Sequence, residues 1–293
     1  VIVPEWAAFF GEKEYAVFLK AVDSYFKGKL KLKYEMEDGV VKPEENPYGL
    51  SNLGLMNVAR MCHQGKVAEY SRIVEYHFNL IKESSVFKME FKKIEKDFDQ
   101  VKKYLAVRIY EYGYLETVGM DKVISRSIAD DLCAVLVYDF PTVVETVSVD
   151  NRVCWDKSPE ELFVIGIENV RRNYSFSLKT VGLEQGKDSI LVCETKHMFA
   201  PNLLFDIREH LDLIGTSGSL VAIPSRSLVV IYPINDIAVS LVINRFFNFV
   251  PNMFVKYPGS LTKNIYWYKD ESFTKLPYEP VGDQVKFFPP QAF

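Results

Sequence analysis

Between Asp130 and Val250 one pattern recurs three times: an apolar strand, a tight turn, a second strand and a helix. The first copy places strands at 132–138 and 143–149 around Asp139-Phe140-Pro141, then a helix from Ser158 to about Arg172. The second places strands at 175–183 and 189–195 around Glu184-Gln185-Gly186, then a helix over 200–213. The third places strands at 220–223 and 228–232 around Pro224-Ser225-Arg226, then a helix over 235–250. Strands joined by short turns and followed by helices bury their apolar faces by stacking sheet against helix. The pattern therefore predicts an α+β fold. Three consecutive β-β-α units are expected to form an antiparallel or mixed sheet with helices on one face.

Local signals support the helices. In Ser158-Pro159-Glu160-Glu161 the serine suits the cap, the proline the first turn, and Glu161 completes a capping box. Pro201 also suits a first helical position, and Asn235 or Asp236 can cap the third helix. Leu241, Val242, Phe246 and Phe249 give that helix a wide apolar face.

Residues 1–120 read as a mostly helical part with one β arm. Tyr15, Phe18, Leu19, Val22 and Phe26 fall at helical spacing, with Gly28 as the expected end. Leu30, Leu32, Tyr34 and Met36 alternate with polar residues, and Glu37-Asp38-Gly39 is a turn signal. Ser51 is a cap for a helix running to Cys62. Val67, Tyr70, Val74, His77 and Ile81 mark a second helix, and Phe87, Phe91, Ile94, Phe98 and Val101 a third with a lysine-rich outer face. Residues 105–110 resemble a strand, and 111–120 a connection between this part and the repeat region, 121–250. Residues 251–293 are rich in Tyr, Phe and Pro, with a short strand near 265–268. They form an extension expected to pack on the body.

Composition narrows the function classes. The formal net charge of -4 argues against a duplex nucleic-acid binder, which carries a basic face. Basic and aromatic residues do not interleave on the strands, so single-stranded nucleic acid is disfavoured too. No apolar run reaches the roughly 18 residues of a membrane span, and the first residues lack the pattern of a secretory signal. Cys62, Cys133, Cys154 and Cys193 form no CxxC pair and read as buried free thiols. A reducing, cytoplasmic setting is expected.

Several segments resemble one bacterial family, the YtpQ-like domain of unknown function. They are Leu50-Ser51-Asn52-Leu53, Ile124-Ser125-Arg126 with Ala129-Asp130-Asp131-Leu132, and Val137-Tyr138-Asp139-Phe140-Pro141. Ser158-Pro159-Glu160-Glu161-Leu162 with Glu168-Asn169-Val170 follows, then Val221-Ala222-Ile223-Pro224-Ser225-Arg226. Ser227 stands after Arg226, where the pattern would place an acidic residue. The resemblance implies a cytoplasmic α+β protein and brings no catalytic residues.

The chemistry-bearing residues form no recognised catalytic pattern. There is no GxSxG elbow, P-loop or GxGxxG. Gly215-Thr216-Ser217-Gly218-Ser219 lies between a helix end and a strand, the reverse of a nucleophile elbow, and reads as a turn. His63, His77, His197 and His210 lack metal-ligand spacing, so no metal and no cofactor is expected. His77 sits on an apolar stripe, whereas His197 precedes a helix in a loop and is kept as a candidate. Arg126 and Arg226 sit at strand edges beside serines, where a planar guanidinium suits a carboxylate or phosphate. Asp139 makes the first hairpin turn and could act as a base. Asn169 is a poor helix former inside a helix and is expected to bond to a neighbouring loop or a ligand.

The leading expectation is a non-catalytic protein-binding or regulatory module. The competing one is a hydrolase or transferase acting on an anionic substrate, with Arg126 and Arg226 as clamps and Asp139 as base. A protein partner or self-association, or a small anionic ligand, fits these readings. Convergence of Arg126, Asp139 and Arg226 in one pocket would favour the enzyme.

Overall fold

The computed structural model describes residues 2–45, 48, 52–141, 143–183, 189–281, 284–291 and 293. Ser51 and the turn at Glu184-Gln185-Gly186 lie outside these residues. The chain divides into two compact units, Val1–Glu95 with Phe140–Val144, and Lys96–Asp139 with Glu145–Phe293.

In the first unit, α1 (Glu12–Asp23) continues into a π-helical turn, Ser24–Lys29. A three-stranded antiparallel sheet follows, of β1 (Tyr34–Glu37), β2 (Val40–Pro43) and β3 (Leu53–Gly54). Then come α2 (Met56–Gln64) and the long α3 (Tyr70–Ile94). Phe18, Val22, Phe26, Val58, Val74 and Phe78 form the shared core. Its aromatic rings pack edge to face, as between Phe26 and Phe78 at 4.8 Å. Burial holds the His77 imidazole down at about 4, so it is neutral at physiological pH.

The second unit carries two main antiparallel sheets. After α4 (Phe98–Val101), β4 (Leu105–Glu111) and α5 (Tyr112–Val118) come β5 (Ser125–Ala129), β6 (Leu132–Asp139) and β7 (Val144–Thr146). These strands run in the order β4-β6-β5, with β7 also paired to β6. Helices α6 (Val149–Trp155) and α7 (Pro159–Asn173) follow. The capping box forms as expected: Ser158 accepts from the Glu161 N–H at 3.2 Å, and Glu161 accepts from the Ser158 N–H at 2.9 Å. Gly166 lets α7 lie close on β4, because a Cβ there would sit 3.0 Å from Val107 Cγ2 and 3.1 Å from the Ala106 carbonyl carbon.

The larger sheet contains β8 (Leu178–Gly182), β9 (Ser189–Glu194), β10 (Ser219–Ser225), β11 (Leu228–Pro233), β12 (Ile265–Lys269) and β13 (Ser272–Lys275). Their order is β13-β12-β10-β11-β9-β8. Helix α8 (Val239–Lys256) precedes β12, and a last hairpin of β14 (Tyr278–Val281) and β15 (Gln284–Phe287) closes the chain. Both faces of the central strands are buried, so residues 220–223 of β10 and 228–231 of β11 are apolar at every step rather than at alternate ones. Val221, Ile223, Val229 and Ile231 pack in one core with Leu203, Leu204, Ile109 and Leu132. Leu220, Ala222, Val230 and Trp267 pack on the other face with Val242, Phe246 and Val250 of α8.

The α+β class holds, but the repeat is not one continuous sheet. The first hairpin belongs to the smaller sheet, while the second and third hairpins share the larger one. Helices on one face is also corrected, since both faces of the larger sheet are covered. The second expected helix is a run of 3-10 turns, Ala200–Phe205, Ile207–Glu209 and Leu211–Leu213. Its apolar spacing suits such turns equally well. Asn202 spends its side-chain amide on the Val107 carbonyl at 2.9 Å, and His210 leaves helical geometry at φ -114, ψ 85. Two helices expected across 67–101 are mainly one, α3, because no Gly or Pro interrupts it. The break comes later, where Asp97 caps α4 by accepting from the Asp99 and Gln100 N–H groups. The connection expected at 111–120 contains α5, which Gly119 ends at φ 93. Among the described residues, no helix is long and apolar enough to cross a membrane.

Candidate functional site

The pairing register decides which candidates can meet. Arg126 on β5 lies opposite Ala134, whereas Arg108 on β4 lies opposite Val135. Successive residues of a strand point to opposite faces. Arg126 and Arg108 therefore leave opposite faces of the smaller sheet, and the five expected site residues separate into three places.

Arg126 lines a cleft of about 550 Å³ together with Val164, Ile167, Leu204, Phe205 and Phe273. Its guanidinium lies 4.7 Å from the Phe163 ring centroid and 5.1 Å from that of Phe205. Cation–π contacts of this kind hold the planar group between apolar walls. Two other arginines reach the cleft, and both have acidic partners. Arg171 donates to Asp206 and sits 3.6 Å from Glu209, and Arg208 sits 3.7 Å from Glu271. Arg126 has no ion pair or hydrogen bond among the described residues. Burial lowers its pKa, and Glu160 offsets part of this. The acidic residues on the cleft wall are Glu168 and Glu271.

Asp139 and Arg226 both lie in electrostatic range of Arg108, a residue that stands outside the expected set, and His197 lies in range of Asp139. Asp139 accepts from the Tyr174 hydroxyl at 2.5 Å. Burial raises its pKa, while Tyr174, Arg108 and His197 pull the other way. His197 Nδ1 accepts from the Phe199 N–H at 3.3 Å, and Nε2 lies 3.1 Å from the Ser175 carbonyl oxygen. A carbonyl only accepts, so Nε2 carries the proton and both edges of the ring are used. Burial lowers the His197 pKa, which favours this neutral form. Arg226 Nη1 donates to the Ser260 carbonyl at 3.2 Å. Burial and the neighbouring Arg108 push Arg226 down to about 10.

Asp139 makes a pH prediction. A carboxyl whose folded pKa is raised adds stability below its ordinary value of 3.8, and this is lost as pH rises through the folded value. Asp139→Asn is expected to flatten that part of the stability profile. Chemical denaturation of both forms from pH 3 to 7 checks it, and parallel profiles would contradict the assignment.

Asn169 is a structural residue. Its amide donates to the Lys102 and Leu105 carbonyl oxygens, each at 2.8 Å, and its own oxygen accepts from Arg172. It ties α7 to the start of β4, which matches the expected bond to a neighbouring loop.

Other chemistry is limited. Burial pushes the Cys62 thiol up to about 12 and the Cys133 thiol up to about 11, and raises Cys193, so these remain protonated. Cys154, expected to be buried, is exposed on the short α6. Among the described residues, no cluster of three or more His, Cys, Asp or Glu could hold a metal ion. Arg108 was signalled only by a charged residue inside the apolar run of β4, and Tyr174 by nothing beyond its place after α7. No protein-family model, curated protein or solved structure matches the chain.

Proposed function

We propose that the protein is a non-catalytic binding module whose second unit takes a small organic carboxylate with an apolar body. The observation that carries this reading is Arg126: of the three arginines at the cleft, it alone forms no ion pair among the described residues, Glu160 acting on it only from a longer range. A guanidinium lying over two aromatic rings, with no hydrogen bond or ion pair among the described residues, suits a carboxylate. The aliphatic and aromatic walls suit the rest of such a ligand. Glu168 and Glu271 on the wall favour a monoanion over a more highly charged one. A response to such a ligand would make the module regulatory, and three buried free thiols suit a reducing, cytoplasmic setting. The YtpQ-like resemblance adds no catalytic residue to this reading.

The enzyme reading has less support. It needs Arg126, Asp139 and Arg226 around one substrate, and the register sends Arg126 away from the Arg108 side. His197 has no free edge with which to take a proton.

Calorimetric titration with benzoate, using neutral benzamide as control, tests the proposal. Benzoate is expected to bind and benzamide to bind much more weakly. Arg126→Met is expected to weaken benzoate about 10- to 100-fold, since a hydrogen bond to a charged group is worth about 1.5–3 kcal/mol. Equal affinity in the two proteins would sink the reading.

A further inference from the structure

We propose a second anion site in the same unit, in which Arg108 and Arg226 together hold a tetrahedral oxyanion of the phosphate or sulfate type. The two guanidinium groups share one platform. Arg226 lies 4.9 Å and Arg108 5.9 Å from the centroid of the Tyr110 ring. Tyr114 stacks on that ring at 4.0 Å with an interplanar angle of 15°. One face of Tyr110 is thus taken, and Arg226 has the other.

Two like charges brought together out of water repel each other, and each loses hydration. Proteins normally repair this with a carboxylate in contact. Here neither arginine has an acidic partner within ion-pair distance among the described residues. The Nε atoms of both arginines are buried and lack a hydrogen-bond partner. Buried donors of this kind are rare in native proteins, because each one left unsatisfied costs about 1–3 kcal/mol. An oxyanion bridging the pair would accept from both and separate the charges.

The charges around the pair favour an anion. Asp139, from the end of β6, lies in electrostatic range of Arg108, and burial disfavours its charged form. His197, beside it, is held neutral. Glu111, Tyr110 and Tyr114 of β4 and α5 act electrostatically on Arg226, and only the exposed Glu111, which leaves the strand on the face opposite to Tyr110, brings a full negative charge. Two arginines therefore stand against one disfavoured and one exposed carboxylate.

The backbone that carries Arg226 is set in advance. Its N–H donates to the Gly259 carbonyl at 2.8 Å, and its carbonyl accepts from the Ala200 N–H at 3.1 Å. The Ser225 and Ser227 hydroxyls bond each other at 3.0 Å across the turn. The guanidinium itself is tethered by the Nη1 bond to the Ser260 carbonyl, so it loses less entropy on binding than a free side chain. The site is separate from the cleft, because Arg108 and Arg126 leave opposite faces of the smaller sheet.

Thermal unfolding in sodium sulfate, sodium phosphate and glycerol phosphate, each against chloride at matched ionic strength, tests the proposal. The oxyanions are expected to raise the midpoint by about 5 °C at roughly 100 times Kd. Arg108→Met and Arg226→Met should lose this rise, while Arg126→Met keeps it. A larger rise with glycerol phosphate assigns the site to a phosphate ester, and a larger rise with phosphate assigns it to the free ion. A rise matched by chloride, kept by both methionine variants, or lost in Arg126→Met would overturn the proposal. Should the methionine variants fail to fold, NMR of the wild-type arginine Nε–H groups decides. Sulfate should move the Arg108 and Arg226 signals together, and unmoved signals would refute the site.

Discussion

Gly218→Ala is expected to destabilise the second unit by about 4 kcal/mol, a large share of the roughly 5–15 kcal/mol by which a domain is stable. Gly218 sits at φ +86, where an L residue is strained. An added Cβ would overlap the Tyr268 carbonyl oxygen and lie 2.9 Å from the Trp267 indole nitrogen. Neither neighbour can step aside cheaply. Tyr268 pairs with Ser219 in the central ladder, and the Trp267 indole donates to the Ser217 carbonyl at 2.9 Å. The Gly218 carbonyl also accepts from the Ile234 N–H at 2.8 Å, so a shift would pull on β11 as well. The same substitution at Gly182 is the control. That glycine lies in β8 with nothing within 4 Å of an added Cβ. There the loss of unfolded-chain freedom should make alanine neutral or stabilising by about 0.5 kcal/mol. Urea unfolding of both variants checks the contrast, and similar midpoints would refute the account of the turn.

Asn169→Leu is expected to cost about 3 kcal/mol. The substitution keeps the volume but removes the amide donor that the Lys102 and Leu105 carbonyls now share at 2.8 Å each, leaving Lys102 with only the Leu105 N–H and depriving the buried Leu105 carbonyl of this partner. Asn169→Asp should not rescue stability, because a carboxylate would turn acceptors toward acceptors. The urea midpoint should fall with little change in slope. Benzoate affinity measured below the transition should stay within about twofold, since Asn169 fastens α7 to β4 and does not line the cleft. A stable Asn169→Leu with weakened binding would return Asn169 to the list of ligand residues.

The strands and turns of the second unit were legible for a local reason. Apolar runs such as 220–223 and 228–232, broken by Pro, Ser and Arg, carry their own punctuation. The Ser158 capping box likewise lies within four residues. What could not be read was long-range. Nothing near residue 132 says that its hairpin pairs with β4 rather than joining β10 and β11. Apolar spacing over 200–213 fits α-helix and 3-10 turns alike, and the decision came from Asn202 bonding a carbonyl far away in β4. The candidate sites divide the same way. Arg126, Asp139, His197 and Arg226 were visible as residue types in suggestive places. Their grouping depends on the register of β5 and β4 against β6, which sends Arg126 to one face and Arg108 to the other. Arg108 escaped notice because a single charge in a strand ordinarily marks a solvent-facing position, and here its Nε is buried.

The most direct test of the binding-module account is NMR of the arginine Nε–H groups in the full chain during a benzoate titration, with the Arg126 signal assigned by its loss in Arg126→Met. The account predicts that the Arg126 signal shifts with saturation and that bound benzoate shows contacts to the Phe205 ring. A titration that leaves Arg126 unmoved, or that moves Arg108 and Arg226 instead, would contradict it.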